Sequence, residues 1–360
     1  MIYCNGPRMH EFLREMNQTV LDKYDAMTVG ELPHTPDPKQ VLEYVGLSDK
    51  QLNMVFQFDI VDVGQGLSYK YQFKEWKLPL LKGIITKWQQ FIDGTDGWTT
   101  AFCENHDQGR SVSRYASDAP EYRVKSAKML SLMMSALTGT LFIYQGQEIG
   151  MINVPKNWGI EEYKDVESMG FYSEAAQSGD KERIQKTIEG LQILARDHSR
   201  IPFQWADTPN AGFTAKGKEP WMRTHDNYRE INAKRQREDP ESVLAFYKLA
   251  LRLRKQYGDL FIHGAFRHLV PTNEALFAYV KESTIPVGGK YGAGKRKALV
   301  VMNFTSEPQE CLDVPTTLAC QESDVELLIS TFKDSKARTD SQQTLAPWEG
   351  RVYLNFSAEH

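Results

Sequence analysis

Thr99-Thr100-Ala101-Phe102-Cys103-Glu104-Asn105-His106-Asp107-Gln108 is the stretch from which the fold is read. Its first five residues are β-formers and small apolar groups with no breaker, the composition of a buried strand. Four side chains in a row then follow, Glu104, Asn105, His106 and Asp107, each suited to binding a hydroxyl, a proton or a metal. An apolar strand that runs into such a cluster ends at a surface or a pocket. Residues 122–137 carry helical periodicity, so the cluster sits at the C-terminal mouth of a strand that feeds a helix. In α/β architectures sites are built there.

The same unit repeats on either side. Upstream, residues 26–31 read as a short buried strand ending on Glu31, and residues 53–58 as another ending at Asp59 and Asp62. Downstream, residues 140–144 form a strand that runs into Gln145-Gly146-Gln147-Glu148. Helices are predicted between them. Phe12, Met16 and Val20 recur every fourth residue in a stripe that continues to Lys23, Asp37 caps residues 38–44 with Pro38 at the first helical position, and residues 80–92 are amphipathic. Strands joined by helical crossovers run parallel. Carboxylates at four strand ends, Glu31, Asp59, Asp107 and Glu148, suggest a (β/α) barrel, yet a full barrel needs eight units. The alternative is an open doubly wound sheet, but no glycine-rich phosphate loop follows any strand.

Residues 151–240 read as an irregular subdomain over the site, with Trp158, Trp205 and Trp221 among Pro, Gly and Asn; Trp205 and Trp221 are taken mainly as packing residues, with sugar stacking as the alternative for either. Residues 242–257 are strongly helical. Beyond Gly258, runs at 275–280, 297–303, 325–329 and 352–356 predict a compact antiparallel β domain. The Gly288-Gly289-Lys290-Tyr291-Gly292-Ala293-Gly294 insert reads as a loop and not a phosphate cradle, since no helix follows it. The expected division is 1–258 for the barrel part and 259–360 for the β domain.

Composition narrows the function. The 360 residues carry a net charge of −4 and no basic run, so a nucleic-acid partner is not expected. Four dispersed cysteines, Cys4, Cys103, Cys311 and Cys320, lack zinc or disulfide spacing and fit a reduced, cytoplasmic setting. No apolar run is long enough to span a bilayer. His106 and Asp107 have no third ligand at metal spacing, so neither a metal nor a cofactor is expected.

Five ordered motifs carry a resemblance. Met27-Thr28-Val29-Gly30-Glu31, Glu104-Asn105-His106-Asp107-Gln108, Tyr144-Gln145-Gly146-Gln147-Glu148-Ile149-Gly150, Arg196-Asp197-His198-Ser199-Arg200, and Pro202-Phe203-Gln204-Trp205 with Asn210-Ala211-Gly212-Phe213 resemble the α-glucosidases of the α-amylase superfamily, glycoside hydrolase family thirteen. The nearest group is the fungal-type maltases and oligo-1,6-glucosidases (isomaltases), which the chain also resembles at Asn5-Gly6-Pro7-Arg8, Ser242-Val243-Leu244 and Pro347-Trp348-Glu349-Gly350-Arg351. The resemblance implies a retaining α-glucosidase, here as the second half of a (β/α)8 TIM barrel followed by a small antiparallel β-sandwich domain. It makes Glu31 the acid/base and Asp107 the transition-state stabiliser, with His106 and Arg196 binding substrate. The nucleophilic aspartate is expected upstream of Asn5, so the chain alone is expected to be inactive. Burial of Glu31 at its strand end would keep it protonated. The full-length protein is expected to be a monomer acting on small α-glucosides, without nucleic acid or membrane. The alternative is a non-catalytic binding or assembly protein that retains the fold; Arg196 would then serve only in a surface ion pair.

Overall fold

The computed structural model describes residues 4–66, 69–284, 296–332 and 344–355, and the glycine-rich insert lies outside them, as does Phe356. The chain begins with α1 (Met9–Thr19), β1 (Val29–Leu32), α2 (Pro38–Val45), β2 (Met54–Gln57), α3 (Leu78–Gln90), β3 (Thr100–Ala101), α4 (Ser111–Tyr115), α5 (Arg123–Ser135) and β4 (Thr140–Leu141). Asp37 caps α2 by accepting from Lys39 N, with Pro38 in the first turn. The strands form a parallel arc. β1 pairs with β2 from Val29 opposite Met54 to Leu32 opposite Gln57, and β3 pairs with β4 through Thr100 opposite Thr140. Between β2 and β3 the link is a side chain, Thr100 Oγ1 donating to Val55 O at 2.9 Å. Phe56 meets Phe102 and Phe142 edge-on, at 4.9 and 4.6 Å between ring centres, and closes the inner face. This is the partial barrel that the strand-helix repeat predicts.

Residues 151–240 are more regular than their composition suggests. They hold α6 (Val166–Gln177), α7 (Lys181–Leu194), α8 (Asp197–Arg200) and α9 (Ala233–Glu238). Asp180 caps α7 by accepting from Glu182 N and Arg183 N. Gly190 lets α7 lie against Tyr71, since a Cβ there would stand 1.6 Å from Tyr71 O.

After α10 (Val243–Gln256) and α11 (Gly258–Phe261) come β5 (Ala265–Leu269), β6 (Leu276–Glu282), β7 (Lys297–Asn303), β8 (Gln309–Glu310), α12 (Val314–Leu318), β9 (Val325–Ser330), β10 (Thr344–Leu345) and β11 (Gly350–Asn355). A five-stranded antiparallel sheet takes the order β5-β6-β7-β11-β9, with the β8-β10 ribbon separate from it. One face of the sheet presents Phe277, Tyr279, Val300, Met302 and Val352 to the cluster that contains Met129, Leu132 and Met133 of α5. The other face packs Val280, Leu299 and Val301 with Val314, Leu318 and Leu345. Caught between arc and sheet, α5 is buried from Ser126 to Ser135, which is why its apolar residues do not form a single stripe. Buried Lys82 of α3 bridges this seam through the carbonyl oxygens of Val270, Asn273 and Leu276, while buried Arg254 of α10 ties its helix to the end of α5 at Ser135 and Leu137.

The first residues correct the sequence reading. The predicted burial of the first strand is not found. β1 alternates exposed and half-buried residues, and α1 buries none. Phe12, Val20, Tyr24 and Met27 are exposed by 50, 49, 70 and 64%. Among the described residues β1 pairs only with β2 and β4 only with β3, so both edges of the arc are open. A cavity of about 580 Å³ among Met27, Leu47, Asn53, Met54, Trp98 and His263 opens at the N-terminal ends of the strands, away from the polar cluster.

At the opposite end, a buried ion pair sets the loop after β3. Arg110 Nη1 donates to Glu104 Oε1 at 2.7 Å, with the two side chains 1% and 0% exposed. Ser111 donates to the other carboxylate oxygen through its N and Oγ, at 2.9 and 2.7 Å. Arg110 also donates to Gln145 O at 2.8 Å and His198 O at 3.2 Å. Gly146 is needed beside it, since at φ +93° a Cβ would stand 2.9 Å from Arg110 Nη1. His198 is buried, takes Val154 N on Nδ1 and faces Leu191 O with Nε2 at 2.9 Å.

Glu104→Gln leaves the Arg110 charge buried without its partner, and is expected to lower the stability to urea by roughly 3–5 kcal/mol. Burial pushes the His198 pKa down to about 4, against the hydrogen bond to Leu191 O. The unfolded chain binds that proton first as pH falls. The stability His198 contributes is therefore fully present above about 6.5, the unfolded value, and is lost as pH falls toward 4. Urea midpoints measured between those pH values are expected to fall, and to fall less in His198→Gln.

Candidate active site

Glu104 and Arg110 are fixed inside, and between them Asn105, His106 and Asp107 turn outward. Asp107 N donates to Asn105 Oδ1 at 2.8 Å, which tightens the turn. His106 and Asp107 reach the surface at its apex, with side chains 55% and 25% exposed. The cations come from α8. Arg196, just before it, places Nε 2.8 Å and Nη2 2.6 Å from Asp107 Oδ1. Arg200, one helical turn on, places Nη2 2.7 Å from the same oxygen. His106 Nε2 lies 3.5 Å from it. Asp107 Oδ2 accepts no hydrogen bond from the described residues.

Burial pushes the Asp107 pKa up, but Arg196, His106 and Arg200 outweigh it and hold the carboxyl below its ordinary value. A second tier supports the arginines. Arg200 donates to Asp165 Oδ2 at 2.5 Å and to His106 O at 2.9 Å. Arg196 Nη1 lies 3.8 Å from both Asp165 and Glu167, and Glu167 accepts from Lys70 Nζ at 2.8 Å and Tyr71 Oη at 3.1 Å. Asp165 is brought there by Asp197, which accepts from Lys164 N, Asp165 N and Ser168 Oγ. The charged run at 196–200 thus divides. Arg196 and Arg200 face the carboxylate while Asp197 and His198 turn inward.

Structure therefore joins three of the four predicted site residues, Asp107, His106 and Arg196. Glu31 is not in contact with them. It stands opposite Phe56 in the ladder, on the side of the arc that carries Phe102 and Phe142, at the same end of the strands. Its expected burial is not found: Glu31 is exposed on an edge strand and takes no hydrogen bond or ion pair from the described residues. The remaining strand-end carboxylates are structural. Asp59 binds Lys87 and Trp88, and Glu148 accepts from Gly146 N at 2.7 Å. Sequence reasoning gave no role to Arg200, Asp165, Glu167 or Lys70. For Arg200 a signal existed, its four-residue spacing from Arg196; for the others only the fold reveals the meeting. Trp205 and Trp221 are 54% and 63% exposed, although each ring meets a phenylalanine, Phe203 at 4.5 Å and Phe213 at 5.0 Å between centres. Among the described residues no group of His, Cys, Asp or Glu side chains is arranged to hold a metal ion, and no helix is long and apolar enough to cross a membrane.

Known proteins carry the same arrangement of chain. The family model for the α-amylase catalytic domain matches residues 1–264. An α-glucosidase of Candida albicans is 41% identical over 355 residues, covering 97% of this chain and 58% of that protein. An oligo-1,6-glucosidase of Parageobacillus thermoglucosidasius is 40% identical, covering 98% and 59%. Among solved structures, trehalose-6-phosphate hydrolase of Bacillus licheniformis superposes with a TM-score of 0.83 at 36% identity, covering 98% of this chain and 60% of that one. An isomaltulose synthase of Erwinia rhapontici in complex with D-glucose gives 0.84 at 30% identity, covering 97% and 59%. The chain spans about three fifths of the length of these relatives. With a partial parallel barrel, an antiparallel β domain and a matching model over most of its length, this chain belongs to the α-amylase catalytic-domain family.

Proposed function

We propose that the chain is the C-terminal part of a retaining α-glucosidase, releasing terminal glucose from maltose, isomaltose or related α-glucosides. The observation that carries this reading is the asymmetry of Asp107. Its Oδ1 is held by Arg196 and Arg200, while Oδ2 is left for a ligand. A carboxylate kept ionised and half committed is suited to grip sugar hydroxyls, and grips hardest as positive charge develops on the flattening ring. In this reading Asp107 is the transition-state stabiliser, His106 donates to a neighbouring hydroxyl, and Arg196 shifts from Asp107 toward the terminal glucose.

Glu31 is the acid/base of the double displacement. Its carboxyl gives a proton to the glycosidic oxygen as the bond to the anomeric carbon breaks, and its carboxylate later takes a proton from the attacking water. The nucleophile that receives the glucosyl group is assigned to a segment upstream of Asn5, a reading supported by the chain spanning about three fifths of its relatives' length. Residues 1–258 are assigned to the barrel and 259–360 to the β domain. The full-length protein is read as a cytoplasmic monomer, the setting supported by four dispersed, free cysteines.

Residues 1–360 assayed on p-nitrophenyl α-glucoside are expected to release only background product, because no covalent intermediate forms without the nucleophile. Joined to an upstream half from its own gene or from a close relative, the chain is expected to turn over. Asp107→Asn and Glu31→Gln are then each expected to lower kcat about a hundredfold or more. Turnover by residues 1–360 alone at a homologue's rate contradicts the reading, as does a joined enzyme in which either variant keeps most of its activity.

A further inference from the structure

Beyond the carboxylate, the structure holds a large aromatic side chain whose placement packing does not explain. Trp221 is 63% exposed, yet it is fixed on two sides. Its Nε1 donates to Arg200 O at 2.9 Å, and its ring meets Phe213 edge-on at 5.0 Å. The indole N–H is thus committed, and what remains open is the π face. The loop that carries it is braced at some cost. Asn210, Ala211 and Gly212 are all left-handed, at φ 52°, 54° and 68°, and Ala211 is fully buried. A left-handed alanine persists only where its surroundings over-determine it. Here Ala211 O accepts from both Trp205 N and Ala206 N, and Asn210 Nδ2 ties the turn to Lys218 O. Strain of this kind, held by many bonds and ending in an exposed ring, marks a surface built for a ligand.

The ligand follows from where the ring is attached. Arg200 binds Asp107 through its side chain and Trp221 through its backbone carbonyl. One residue, Arg200, therefore links the carboxylate to the indole. Resting on the assignment of Asp107 above, we propose that Trp221 is a binding residue for the second or third unit of an α-linked gluco-oligosaccharide, stacking on that sugar's C–H face. The polarised C–H groups of a pyranose meet the electron-rich face of the indole, while the sugar hydroxyls point to water. The relevant substrates are then short α-glucans rather than glucosides with small leaving groups.

The test is calorimetric titration of residues 1–360 with glucose and with maltotriose, in the wild type and in Trp221→Ala, Trp221→Phe and Asp107→Asn. Maltotriose is expected to bind about fivefold more tightly than glucose. Trp221→Ala is expected to remove that advantage and leave glucose unchanged, and Trp221→Phe to keep most of it. Saturation transfer between the indole protons and maltotriose in the wild type reads the contact without any substitution, and is expected to be seen. An unchanged ratio of the two affinities in Trp221→Ala, or absence of transfer, overturns the role of Trp221. Loss of the advantage in Trp221→Phe to the same degree as in Trp221→Ala also overturns it, since the bond to Arg200 O and not the ring would then be responsible. Glucose affinity unchanged in Asp107→Asn overturns the reading of Asp107 instead, and binding of neither sugar by the wild type overturns both.

Discussion

One buried guanidinium, that of Arg110, determines where the polar end of this barrel can be. It lies where water does not reach and binds Glu104 from the end of β3, Gln145 O from the end of β4 and His198 O from α8. Taking two charges out of water is favourable only when geometry and further hydrogen bonds repay the desolvation, and Ser111 supplies the remaining donors. The consequence is positional. The loop with Asp107 and the helix with Arg196 and Arg200 are tied to one inflexible group, so the distances between carboxylate and arginines are set from below.

Above that anchor, charges nearly balance within a small volume. Asp107, Asp165 and Glu167 face Arg196, Arg200 and Lys70. Each arginine is shared between two or more carboxylates, so neither is bound irrevocably to Asp107. In the function proposed, that sharing lets a sugar hydroxyl take Arg196 without leaving Asp107 unpaired, since Arg200 still neutralises it.

What was legible in the sequence divides by the range of the physics involved. Local signals were read well. Asp37 before Pro38 and Ser242 before Val243 start helices where capping chemistry requires, and the alternative of a nucleotide fold was set aside from the lack of glycine loops. β7 spans the predicted 297–303. Helix α7 was missed although Asp180 and the spacing of Ile184, Ile188, Leu191 and Leu194 announce it, because the tryptophans and prolines around it were given more weight. Burial was the property least readable. The patterns of Val29 and Glu31 suit an interior, but burial depends on what packs against a segment, and nothing local to those residues encodes that. The second tier of the site was unreadable for the same reason, since Glu167 and Lys70 meet across 97 residues of sequence.

In the function proposed, Asp107 offers one oxygen to arginine and the other to sugar. A crystal structure of the chain grown with glucose tests it most directly. Glucose hydroxyls are expected on Asp107 Oδ2, with Arg200 still on Oδ1 and Arg196 turned toward the ring. Glucose bound elsewhere, or an Asp107 whose two oxygens both remain on arginine while the sugar occupies the cleft, would contradict it.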